Sequence, residues 1–221
     1  LHFDRRRVHP DRKGLARPFG SVTQLNTIRL GKRTDAQSPL IKDFLGLAEL
    51  GDLEFGGWDI FEDNAYEACL NAAVLSKEDI DRVKDELSAI KPMKAVFDTR
   101  YVKRIDGPNK KTGSLWDQAQ ELRADIRTFM KDHGCERAVM VWCASTEAYH
   151  LASDVHQTLE SFEAGLKASD PNIAPSQIYC YAALMEKVPF DVKYVPKSKL
   201  NFSLKQILKI QSLFLLNSSL Q

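Results

Sequence analysis

Residues 137–147, Arg-Ala-Val-Met-Val-Trp-Cys-Ala-Ser-Thr-Glu, constrain the fold more than any other stretch of the chain. Ala138 to Trp142 is an unbroken apolar run of strand length. A half-exposed strand alternates, so a run without alternation predicts a strand covered on both faces, as in a parallel α/β sheet. The run ends in Ser145, Thr146 and Glu147, two hydroxyls and a carboxylate at the strand's C-terminal end. Open parallel sheets bind ligands at that edge. The same pattern also suits a buried strand followed by an ordinary helix cap.

The rest of the chain alternates short apolar strands with amphipathic helices. Ser38-Pro39 reads as an N-cap with proline at the first helical position, and Gly51 as the end of that helix. Leu53-Glu54-Phe55 reads as a strand running into Gly56-Gly57-Trp58-Asp59-Ile60, with Asp59 just past its end. A carboxylate there can accept hydrogen bonds from a ribose, or can simply stabilise a turn. Asp63 or Asn64 caps a helix through Leu75, and Ser76 with Asp79 opens another up to Ile90. Ala95-Val96-Phe97 is a second strand, and the Lys-, Gly- and Asn-rich 103–113 stretch reads as a mobile loop. Ser114 and Asp117 open a long helix ended near Gly134, with Leu122, Ile126, Phe129 and Met130 inward. A further helix starts near Ser153, and another element spans Ile178 to Met185. This order predicts an α/β, Rossmann-like fold, a mainly parallel sheet with helices on both faces, incomplete at both ends. Strands 53–55, 95–97 and 138–142 should be parallel neighbours.

Composition narrows the function classes. With 221 residues, 43% apolar, 28% charged and a net charge of +1, the chain is ordinary globular protein with no global bias toward nucleic acid or membrane. Residues 1–37 form a basic, loop-rich lead-in, in which Phe3 and Phe19 supply too few aromatics for a base-stacking platform. The chain starts at Leu1 rather than Met, which reads as a trimmed start or an internal piece. Residues 191–221 contain no Gly or Ala and five lysines against one acid, a break that reads as an atypical, replaced C-terminus. The apolar Leu204–Leu216 segment is too short to span a bilayer. Residues 38–190 then form the folded domain. Cys69, Cys135, Cys143 and Cys180 form no C-x-x-C pair and read as reduced, mostly buried cytosolic thiols. Cys143 with His150 could form a nucleophile pair, but packing inside the strand is the expected role for Cys143. The histidines lack ligand spacing, so no metal is expected. A G-x-G-x-x-G turn, a P-loop and a G-x-S-x-G elbow are all absent from the sequence.

Four blocks occur in order: Phe55-Gly56-Gly57-Trp58-Asp59-Ile60, Pro92-Met93, Val141 to Glu147, and Tyr181-Ala182-Ala183 with Val188-Pro189-Phe190. In combination they resemble the myo-inositol-1-phosphate synthase family over residues 18–190. The resemblance implies a cytoplasmic NAD-dependent isomerase, usually a homotetramer, that converts glucose 6-phosphate to an inositol phosphate. Carried over by position, Asp59 would face the adenosine ribose, and Cys143, Ala144, Ser145 and Thr146 would line the NAD site. The family's glycine-rich cofactor loop would precede Leu1. Its Asn-Gly-x-Pro block is replaced here by Asp191-Val192-Lys193-Tyr194, and its catalytic lysines lie further on. No catalytic residue is therefore assigned, and no nucleic-acid or membrane partner is expected. Two other readings stay open at this point: an inactive chain that associates with full-length subunits, and an unrelated α/β binding module.

Overall fold

The computed structural model describes residues 22–32, 37–49 and 52–192. Most of the basic lead-in and nearly all of the 191–221 tail lie outside them. The described residues fall into two compact units, one from those up to 55 and from 63–90, the other from 56–62 and 91–192.

The first unit holds short helices. Helix α1 (Val22–Leu25) leads into an antiparallel bridge between Thr27 and Leu40, and α2 follows (Ile41–Leu45). Ile28 N–H donates to Pro39 O at 2.9 Å, so residues 39–40 are extended and the helix starts at Ile41, later than Ser38-Pro39 predicts. It also ends early, at Gly46 in the left-handed region (φ +59°), rather than at Gly51. Asn64 caps α3 (Ala65–Ala72) through a reciprocal bond pair with Glu67, and Ser76 accepts from Asp79 N–H to open α4 (Lys77–Asp81). The helix expected to run on to Ile90 breaks at Val83 and resumes as α5 (Lys84–Ala89). Ala65, Ile80 and Leu87 bury a small core common to these three helices.

In the second unit, β1 (Trp58–Asp59) pairs in parallel with β2 (Met93–Lys94), in register Trp58 to Met93 and Asp59 to Lys94. Residues 53–55 are not a strand. The ladder forms only beyond Gly56, where the Phe129 ring approaches so closely that an added Cβ would lie 2.6 Å from Cε2. Of the run 95–97, only Ala95 joins a ladder, through a parallel bridge to Lys110. The 103–113 stretch is thus built into the fold instead of forming a mobile loop. Asn109 is buried there, and its main chain bonds to both Ile60 O and Ala95 N–H.

Helix α6 (Leu115–Asp132) matches its sequence signals closely. Ser114 and Asp117 form the capping box, and Gly134 takes φ +62° beyond the last turn. Leu122 and Ile126 are buried, and Phe129 and Met130 are half-buried. Strand β3 (Met140–Trp142) follows, then a single 3-10 turn at Asp154–His156, α7 (Leu159–Ala168), α8 (Pro175–Met185) and β4 (Phe190–Val192). β3 pairs in parallel with β4, not with 53–55 or 95–97, because α8 returns the chain alongside it through Val188-Pro189-Phe190. Nor is β3 covered on both faces. Met140 is buried, while Val139 and Val141 are 64% and 46% exposed.

Helix α8 is the centre of this unit. All nine residues from Pro175 to Ala183 are buried, against Ala119, Leu122 and Ile126 of α6 and Phe162 and Leu166 of α7. A helix apolar on every side belongs inside a core, and each fully buried Leu, Ile or Phe contributes roughly 1.5–3 kcal/mol. Tyr179 links α8 to both strand pairs. Its ring lies 5.4 Å from that of Trp58 and 5.2 Å from that of Trp142, and its hydroxyl accepts Val96 N–H at 2.9 Å. The Trp58 indole N–H donates to Asp125 at 2.7 Å, and Asp125 pairs with the buried Lys111 ammonium at 2.8 Å.

Tyr179→Phe leaves a buried amide without its acceptor and should cost about 1–3 kcal/mol, read as a lower denaturant midpoint at unchanged slope. Burial also pushes the Tyr179 and Tyr181 phenols above the ordinary range, and Tyr101 up to about 12. These folded-state values exceed the unfolded one. The stability they contribute is therefore complete below about pH 10 and lost as pH rises through the folded values. Unfolding midpoints measured from pH 8 upward should fall in that alkaline window, and a flat profile through it would contradict the burial of these rings.

Candidate functional site

Asp59 is the last residue of β1, exposed at the strand's C-terminal end. One of its carboxylate oxygens accepts Phe61 N–H at 3.0 Å, so the side chain closes its own turn. That turn is held from below by Asn109, whose side-chain amide donates to Asp59 O at 2.9 Å and lies 3.3–3.4 Å from Met93 O and Phe61 O. Gly107 passes so close that an added Cβ would sit 2.2 Å from Ile60 O. Nothing but glycine fits there. The two readings of Asp59 are therefore compatible: one oxygen serves the turn, and the exposed carboxylate remains presented at the strand end.

The second segment follows β3. Cys143, Ala144, Ser145 and Thr146 are all exposed. This corrects the expectation that Cys143 packs inside the strand. Trp142 turns inward against Tyr179, and the next four residues leave the core before the chain returns. Of the four free cysteines, only Cys180 is buried, which also corrects the expectation of mostly buried thiols. His150 stacks on Tyr101, with ring centroids 4.5 Å apart.

The return is made by Glu147. Its Oε1 accepts Ser176 N–H at 2.9 Å and its Oε2 accepts the Ser176 hydroxyl at 2.5 Å, in the first turn of α8. Burial pushes the Glu147 carboxyl above the ordinary glutamate range, against the two Ser176 bonds, which favour the charged form. One residue on, Ala148 N–H donates to Tyr101 O at 2.7 Å, and the Tyr101 hydroxyl donates to Pro171 O at 2.8 Å. Sequence reasoning missed both supports. Asn109 was hidden in a stretch whose composition suggests mobility, and Glu147 stood in the strand-end block without an assigned role. The signal available for Glu147 was a lone carboxylate directly after an apolar strand.

Asp59 thus ends one strand, and residues 143–146 follow another, each strand in a parallel pair of the same compact unit. Exposed carboxylate and hydroxyl groups there suit the hydroxyls of a nucleotide cofactor. Among the described residues no cluster of three His, Cys, Asp or Glu could hold a metal ion, and no helix is long and apolar enough to cross a membrane.

Comparison with known proteins points to one family. An NAD-binding family model described as Myo-inositol-1-phosphate synthase matches residues 5–215. Inositol-3-phosphate synthase 1 of Bacteroides thetaiotaomicron is 49% identical over 181 residues, covering 81% of this chain and 42% of that protein. Inositol-3-phosphate synthase of Saccharomyces cerevisiae is 28% identical over 197 residues, covering 81% of this chain and 37% of the relative. The crystal structure of inositol-3-phosphate synthase from Caenorhabditis elegans superposes with a TM-score of 0.69 at 26% identity, over 78% of this chain and 35% of that one. The chain therefore spans well under half the length of the relatives it matches.

Asn109→Ala should free the Asp59 turn. Losing a buried amide that serves backbone carbonyls should cost about 1–3 kcal/mol in an unfolding titration. It should also speed amide exchange at Phe61, and unchanged protection there would show that Asn109 does not hold the turn.

Proposed function

The chain belongs to the myo-inositol-1-phosphate synthase family, and from that premise we propose that it forms the cofactor-binding part of an NAD-dependent isomerase. In the whole enzyme the substrate is glucose 6-phosphate and the product an inositol phosphate, made in the cytoplasm by a homo-oligomer. The supporting observation is the exposed Asp59 carboxylate at the C-terminal end of a parallel strand, in a chain whose family model is NAD-binding. Residues 38–190 are the cofactor domain in this reading, with 1–37 a basic lead-in and 191–221 a tail.

When bound, NAD would supply reversible hydride transfer, so that the net reaction of the whole enzyme is an isomerisation. What this chain's residues do is bind and orient. Asp59 accepts hydrogen bonds from the adenosine ribose, and its charge disfavours a 2′-phosphate at the same place. Cys143, Ala144, Ser145 and Thr146 line the cofactor through their exposed backbone and hydroxyl groups. A glycine-rich turn at a helix N-terminus, which would hold the pyrophosphate, is not among the motifs of this sequence. No residue of this chain is assigned to the proton transfers of enolisation and ring closure.

The 221-residue chain by itself should therefore bind NAD weakly and form no inositol phosphate from glucose 6-phosphate. A ligand at 100 times its Kd stabilises a protein by about 2.7 kcal/mol, and no thermal shift of that size is expected at millimolar NAD. Backbone NMR at the same concentration should show perturbations centred on Asp59 and residues 143–146, weakened by Asp59→Ala. Perturbations confined to other residues would sink the site assignment, and product from the purified chain would show that it carries catalytic groups of its own.

A further inference from the structure

We infer that Glu147 is a positioning residue, a latch that sets the place of the exposed 143–146 segment by fastening the chain behind it to the first turn of α8. This deepens the cofactor-site reading above and rests on it. Strand β3 holds the segment at one end through Trp142, whose ring packs on Tyr179 at 5.2 Å. At the other end the attachments are the Glu147 carboxylate, bonded at both oxygens to Ser176, and Ala148 N–H, bonded to Tyr101 O. Four exposed residues thus span two fixed points, which limits how far their hydroxyls and amides can wander. A preorganised segment of this kind holds its polar groups in place without ordering them at the moment of binding.

The latch is not simply a stabilising contact. Burial and the like charge of Asp98 both work against this carboxylate, and Arg100 pairs with Asp98 rather than with Glu147. A folded-state value above the unfolded one means that this group's contribution to stability is present at low pH and lost as pH rises through the raised value. Burial therefore opposes the charged form of this carboxyl, while its two oxygens keep Ser176 bonded.

Three variants test this: Glu147→Gln, Glu147→Ala and Ser176→Ala. Glu147→Gln keeps the length and an acceptor for Ser176, so it should fold like wild type. In the chain without NAD, Glu147→Ala should raise amide exchange at Ala148, the bonded amide next to the latch, by about tenfold or more, the scale of one lost charged hydrogen bond. Glu147→Gln should restore most of that protection, Ser176→Ala should fall between, and Leu122 and Ile126 of α6 should be unchanged. With NAD added, Glu147→Ala should lose the NMR perturbations of residues 143–146 and keep those at Asp59. Unchanged exchange at Ala148 in Glu147→Ala would overturn the latch, as would exchange raised equally throughout α6. A wild-type chain whose residues 143–146 ignore NAD while the exchange pattern holds would refute the cofactor reading alone, leaving the latch in place.

Discussion

The fold of the second unit depends on the burial of one tyrosine. Tyr179 sits on a helix buried on every side, touches Trp58 of one strand pair and Trp142 of the other, and gives its hydroxyl oxygen to Val96 N–H. Aromatic pairs at such offsets add about 0.5–1.5 kcal/mol each beyond their area burial, and the hydroxyl satisfies an amide that would otherwise be costly to bury. Because the two parallel pairs are each only two strands wide, neither would be stable by itself. Packing against α8 is what makes them rigid enough to present loops.

Those loops are held by buried polar groups rather than by further apolar packing. Asn109 gathers the carbonyls around the Asp59 turn, and Glu147 ties the segment after β3 to α8. Each arrangement leaves short exposed stretches between fixed ends, at the sheet edge where α/β proteins bind ligands. The family match and the backbone likeness to a solved inositol-3-phosphate synthase place this α/β, Rossmann-like architecture among NAD-binding domains. Asp59 and residues 143–146 are the groups we propose to meet the cofactor.

The sequence by itself determined the α/β class, the family and the features whose partners lie within one turn. Ser114 with Asp117, Asn64 with Glu67 and Gly134 after α6 were legible because capping is decided by neighbours three or four residues away. The 143–146 block was legible as a strand-end segment for a related reason, since an abrupt change from apolar to polar residues marks where a strand stops, whereas Asp59 ends a strand at 58–59 and not the one expected at 53–55. Only the tertiary structure decided which strands pair, that 103–113 is built in, that Cys143 is exposed and that Glu147 is an anchor. Those outcomes rest on contacts spanning 83 residues for Val96 and Tyr179, 50 for Asp59 and Asn109, and 29 for Glu147 and Ser176. At such separations local pattern carries no register. The choice falls to whichever packing buries α8 and satisfies the polar groups around it.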